Sequence, residues 1–166
     1  DRIESRGLGD VYKRQALIKA IHHEYPPEAM QCAVNILNSI GAIGYISENS
    51  DPNRVLSECQ KKDIPILAIR AVQAGALTSS MDRKPHASGM DSADFIDFDR
   101  ALPFRKLANE WGESPASLAH RFALSVDKVS SVILGVKNRQ ELQECIDAES
   151  KGKLSSYEME TLLNLF

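Results

Sequence analysis

Three short apolar runs, each flanked by polar segments of helical period, limit what this chain folds into. "AMQCAVNIL" (29–37), "IPILAIRAV" (64–72) and "VSSVILGV" (129–136) are largely apolar rather than alternating. Near-continuous apolar runs suit parallel strands covered on both faces, whereas strands with one wet face alternate. The segments between them are long enough for crossover helices, so the pattern predicts βα units around a parallel sheet. Three such strands alone leave both sheet edges unpaired and a face bare. The expectation is therefore a part of a larger closed or doubly wound sheet, with the remainder N-terminal to the first helical stretch.

The helix boundaries carry their own signals. Asp51-Pro52 and Ser114-Pro115 each place a capping side chain before a proline, opening "PNRVLSECQKKD" and "PASLAHRFALS". Asn138 with Glu141, and Ser155 with Glu158, have capping-box spacing for "RQELQECIDAES" and "SYEMETLLNLF". Asp97 or Asp99 is the expected cap of "RALPFRKLANEW", with Pro103 in its first turn and Gly112 as its stop. Residues 78–97, "TSSMDRKPHASGMDSADFID", are polar and aperiodic, and they directly follow a strand. They read as a functional loop, because ligand sites in parallel α/β folds lie at the carboxyl ends of strands.

Composition excludes several classes. A chain of 166 residues, 43% apolar and 26% charged, fits one globular domain, and a formal charge of −3 gives no long-range pull toward nucleic acid or an anionic membrane. No run of about 18 apolar residues is present. Cys32, Cys59 and Cys145 are far apart, with no ligand spacing, which points to free thiols in a reducing cytosol rather than to disulfides or zinc.

Polar groups at the strand ends are the candidate site residues. Gln31 interrupts an apolar strand, where its amide needs a partner: neighbouring backbone or a bound carboxamide. Arg70 stands at a strand's carboxyl end and needs an anion, from a salt bridge or from a ligand. The small residues of "AGAL" beyond it allow a ligand close to the backbone. In "ILGVKNRQELQEC" a strand ends at Gly135 and turns through Lys137 and Asn138 into a helix whose N-terminus favours an anion. An ordinary strand-to-helix turn with solvent-facing cations accounts for that pattern equally well.

Taken together, "IPILAIRAVQAGALTSS", "FRKLANEWGESPASLAHRFALS" and "VSSVILGVKNRQELQECIDA" resemble the C-terminal part of an aldo-keto reductase, a similarity covering residues 16–166 in the family's order and spacing. The resemblance implies an α/β fold, a partial TIM (β/α)₈ barrel comprising the last three βα units and a C-terminal helix. It also implies NADP(H), in preference to NAD, and hydride transfer to or from a small-molecule aldehyde or ketone. Gln31 matches the glutamine that holds the nicotinamide carboxamide. Arg70, Ala71, Val72, Gly75 and Leu77 match the loop at the pyrophosphate. Gly135, Val136, Lys137 and Asn138 match the turn at the adenosine 2′-phosphate, with Glu141 nearby. The sequence departs from the family at Ile69, where an aromatic often stacks on the nicotinamide, and at Glu141 and Cys145, near the adenosine.

The family's catalytic Asp, Tyr, Lys and His come from the first four strands, and by this alignment the chain begins in the helix after strand five. No residue is assigned those roles, and the fragment alone is expected to be inactive. The alternative is a non-catalytic nucleotide-binding or regulatory βα module. Residues 1–15 are expected to be a non-native leader. "DVYKRQ" back-translates to GATGTGTATAAGAGACAG, which resembles the transposon end used in preparing sequencing libraries, and it abuts the start of the family resemblance.

Overall fold

The structure, a computed structural model, describes residues 15–39, 53–89 and 91–166. The expected leader, residues 1–15, lies almost wholly outside these, as does the Asp51-Pro52 cap. Residues 15–21 are helical (α1). They are followed by β1 (Met30–Ala33), α2 (Ile36–Ser39), α3 (Asn53–Lys61) and β2 (Ile66–Ile69). After a 3-10 turn (Gln73–Gly75) come α4 (Ser92–Arg100), α5 (Leu102–Glu110), α6 (Pro115–Ser125), β3 (Val129–Val132), α7 (Arg139–Lys151) and α8 (Ser156–Leu163).

The three strands form one parallel sheet in the order β1-β2-β3. Met30 pairs with Ile66 and Cys32 with Ala68, and Ile66 and Ala68 pair in turn with Val129 and Val132. Between those last pairs the register shifts, leaving Ser130 as an extra residue. Period-two alternation sends these side chains to the helix-covered face. There Met30, Ile66 and Ala68 are buried against Ile21 of α1 and Val55 and Cys59 of α3. The opposite face carries Gln31, Leu67 and Ser131 in register, and Gln31 and Ser131 are exposed. The sequence placed Gln31 among apolar neighbours; in the fold it stands exposed on that face of the sheet.

A second core lies below the strand ends. Phe104 of α5, Leu118 and Phe122 of α6 and Leu162 of α8 pack with Ile36 and Leu77, all nearly inaccessible to solvent. Helix α6 joins the two cores, because Phe122 faces one and Ala123 the other. Its start is the one expected: the Ser114 hydroxyl accepts from the Ser117 amide and Pro115 occupies the first turn. The capping box of α8 is complete, and Asn138 caps α7 through the Glu141 amide. Helix α7 ends at Gly152, whose φ of 78° suits glycine.

Three expectations need correction. The aperiodic loop ends at Asp91, since α4 begins at Ser92. Asp97 and Asp99 therefore lie inside α4 and cap nothing; α5 starts after Ala101, which offers no side-chain cap, and Pro103 sits in its first turn. The strands are also shorter than the apolar runs, ending at Ala33, Ile69 and Val132, with the Val34 and Ile133 amides making the last bonds to the Ile69 and Ala68 carbonyls.

Phe104 is completely buried, so Phe104→Ala should cost about 3–5 kcal/mol, read as a lower urea midpoint at unchanged slope. A loss below about 1 kcal/mol would contradict this packing.

Candidate functional site at the strand ends

The backbone leaves β2 through a strained turn. Arg70, Gln73 and Ala74 all adopt left-handed φ values of 57°, 46° and 53°. Non-glycine residues hold such angles at a cost of order 1 kcal/mol each, and only where the surroundings fix them. Buried amides do so here. Asn35, fully inaccessible at the end of β1, donates to the Arg70 carbonyl and to Gln73 Oε1, each at 3.1 Å. Gln73 in turn donates to Asp97 of α4 at 2.8 Å, and Asp97 receives Arg100 at 2.8 Å.

That turn presents Arg70 to a cavity of about 590 Å³ between the ends of β2 and β3. Arg70 donates through Nε to Gln73 Oε1 and through Nη2 to Asp94, both at 3.1 Å. Its side chain is 46% exposed, so it is a surface cation at the cavity mouth rather than a buried one. Arg83, from the loop between the 3-10 turn and α4, donates to the Ala74 carbonyl and to Asp94, both at 2.8 Å. Across the cavity Lys137 pairs with Asp82, and both partners are exposed. An exposed pair of this kind contributes little and exchanges partners readily.

At the N-terminus of α7 the Glu141 carboxylate occupies the position an anion would favour. It accepts from the Lys137 amide at 2.8 Å and from the Asn138 side chain at 3.0 Å. The wall beside it holds His120 of α6 and Cys145 of α7, both buried, with the sulfur 3.8 Å from the His120 Nε2. Burial pushes the His120 imidazole down, against smaller opposing effects of the Ala116 carbonyl and Glu144, and burial pushes the Cys145 thiol up. The pair is therefore neutral at pH 7 and is not an activated nucleophile.

The cavity brings together eight of the residues singled out from sequence: Arg70, Ala71, Val72, Gly75, Gly135, Val136, Lys137 and Glu141. Three stand elsewhere. The Leu77 side chain is fully buried in the core, Asn138 caps α7 outside the cavity lining, and Gln31 lies on the open face of the sheet. Sequence reasoning missed Asp82, Arg83 and His120. The first two lie in the aperiodic segment, which was read as a functional loop with no single residue picked out, and His120 is one more residue of an amphipathic helix.

His120 gives the site a pH signature. A base whose pKa is depressed on folding binds protons more readily when unfolded, so it costs stability as pH falls below about 6.5, the ordinary histidine value. His120→Gln should flatten the fall in unfolding free energy between about pH 7.5 and about pH 5.5. A variant as pH-sensitive as the wild type would remove His120 from that account.

Comparison with known proteins agrees with this architecture. Among curated proteins nothing matches the chain. Among solved structures, a thermostable aldo-keto reductase in complex with the inhibitor epalrestat matches with a TM-score of 0.54 at 20% identity, over 82% of this chain and 39% of that one. The likeness is one of fold, and this chain spans well under half the length of that enzyme. The three-stranded parallel sheet and its helices correspond to part of a (β/α) barrel. Residues 5–165 match the aldo/keto reductase family, a match that takes in most of the stretch expected to be foreign. The chain belongs to the aldo/keto reductase family.

Proposed function

We propose that this chain is the cofactor-binding C-terminal part of an NADP(H)-dependent oxidoreductase that reduces aldehydes or ketones, and that it lacks the residues of proton transfer. The observation that carries this reading is the meeting of Arg70, Arg83 and Lys137 around one cavity at the carboxyl ends of two parallel strands. The cavity's size lies within the usual range of about 300–1,000 Å³ for small-molecule sites.

The residues present suit the phosphate-bearing part of a dinucleotide. Arg70 and Arg83 would face the pyrophosphate. Lys137 would meet the adenosine 2′-phosphate by exchanging Asp82 for it, which favours NADP over NAD. The side chains of Asp82, Glu141 and Glu144 balance the three cations in charge, so binding depends on placement rather than on a net positive field. Gln31, on the open sheet face, is available to hold a carboxamide. When bound, the nicotinamide supplies the hydride that a carbonyl carbon accepts. This chain's contribution is to hold and orient; the matching proton donor belongs to a catalytic set upstream.

Other properties follow the same reading. Cys32, Cys59 and Cys145 are all unpaired, which suits the reducing cytosol. Among the described residues no helix is long and apolar enough to cross a membrane.

Arg70→Ala and Lys137→Ala should each weaken NADPH binding, with the larger effect at low salt, measured by fluorescence titration. An unchanged dissociation constant for both would remove them from the site. The 166-residue chain alone should show no cofactor-dependent carbonyl reduction; measurable turnover would place a proton donor within it.

A further inference from the structure

Arg70 and Arg83 come from different segments, yet one carboxylate holds both. Asp94, in the first turn of α4, receives Arg70 Nη2 on Oδ1 at 3.1 Å and Arg83 Nη2 on Oδ2 at 2.8 Å. Both arginines line the cavity, and Asp94 stands behind them, outside its lining. The remaining contacts fix each fork. Gln73 holds the Nε of Arg70, while the Ala74 carbonyl takes Nη1 of Arg83 and Asp91 lies 3.6 Å from its Nε. The Phe95 ring lies 5.6 Å from the Arg83 guanidinium carbon.

We propose that Asp94 is a positioning residue that yokes Arg70 and Arg83 into a single two-pronged site for a diphosphate. The inference rests on the cofactor reading given above and adds Arg83 and Asp94 to it. Two guanidinium groups this close repel one another, and each side chain has several rotatable bonds to immobilise. The carboxylate between them offsets the repulsion and removes that freedom before a ligand arrives. The trio keeps a net charge of +1 and planar forks that match phosphate oxygens. Helix α4 is thereby tied to the turn after β2, and the arginines are aimed from a rigid element rather than from the loop alone.

The proposal predicts a direction opposite to that of simple charge. Neutralising a carboxylate beside an anion site tightens anion binding if only net charge matters. If Asp94 positions the arginines, Asp94→Asn instead weakens binding of both NADP+ and inorganic pyrophosphate by about tenfold, the scale of one well-aimed charged hydrogen bond. Arg83→Lys keeps the charge and loses the fork, and should weaken both probes similarly. In the Asp94→Asn background it should add little, because the two changes break one unit. The measurement is titration calorimetry on the 166-residue chain, with circular dichroism confirming that each variant is folded. Arg83→Lys, which leaves Asp94 in place, carries the test if Asp94→Asn lowers the folded fraction. A wild type that binds, with Asp94→Asn equal or tighter and Arg83→Lys unchanged, overturns the positioning role and leaves the cofactor reading standing. A folded wild type that binds neither probe overturns the cofactor reading, and this inference with it.

Discussion

The Asn35 amide holds the candidate site in shape. It is buried without exposure at the end of β1, and it bridges the Arg70 carbonyl and the Gln73 side chain on the next strand's exit. An amide so placed is costly unless its bonds are made, and making them imposes left-handed angles on non-glycine residues. The bridge adds a tie from β1 to a turn that backbone hydrogen bonds also close, from the Gln73 amide to the Arg70 carbonyl at 2.8 Å and from the Gly75 amide to the Val72 carbonyl at 3.0 Å. The direction of Arg70, the carbonyl of Ala74 that receives Arg83, and the seat of α4 all follow from the turn.

The strain is offset by connection. Gln73 is the hub, with Asn35 and Arg70 on its oxygen and Asp97 on its nitrogen, so one buried side chain links β1, β2 and α4. Polar networks of this kind specify a single arrangement because a half-satisfied version is worse than none. Around it the apolar cores do the bulk work of stability: α6 reaches both, and its small residues let helix and sheet approach closely. The site therefore sits on rigid elements on one side, β2 and α6, and on a charge-tethered loop on the other.

How much of this the sequence discloses varies by element. Helices α6, α7 and α8 are legible because Ser114, Asn138 and Ser155 announce them by local chemistry that tertiary context does not alter. Parallel pairing is legible from the largely apolar runs, though their ends are not, since Arg70 looks like a strand residue and turns against Asn35 and Gln73. Helix α4 is hidden. It buries no residue, and its acidic side chains, which read as loop, are held by Arg70, Arg83 and Gln73 from other segments. In the site, Arg70 and Lys137 were visible as cations at strand ends, whereas Arg83 and Asp94 acquire meaning only once the fold brings them to Arg70. Gln31 shows the converse: an amide in an apolar strand reads as buried, yet it stands exposed on the sheet.

The central claim is that one cavity, framed by the turn after β2 and the turn after β3, receives the phosphates of a nicotinamide dinucleotide. Amide hydrogen exchange on the 166-residue chain, with and without saturating NADP+, tests it most directly. The account predicts slower exchange in two separate stretches, 70–83 and 135–141, with helix α8 and the far ends of the strands unaffected. Protection absent from both stretches, or spread over surfaces remote from the cavity, would contradict it.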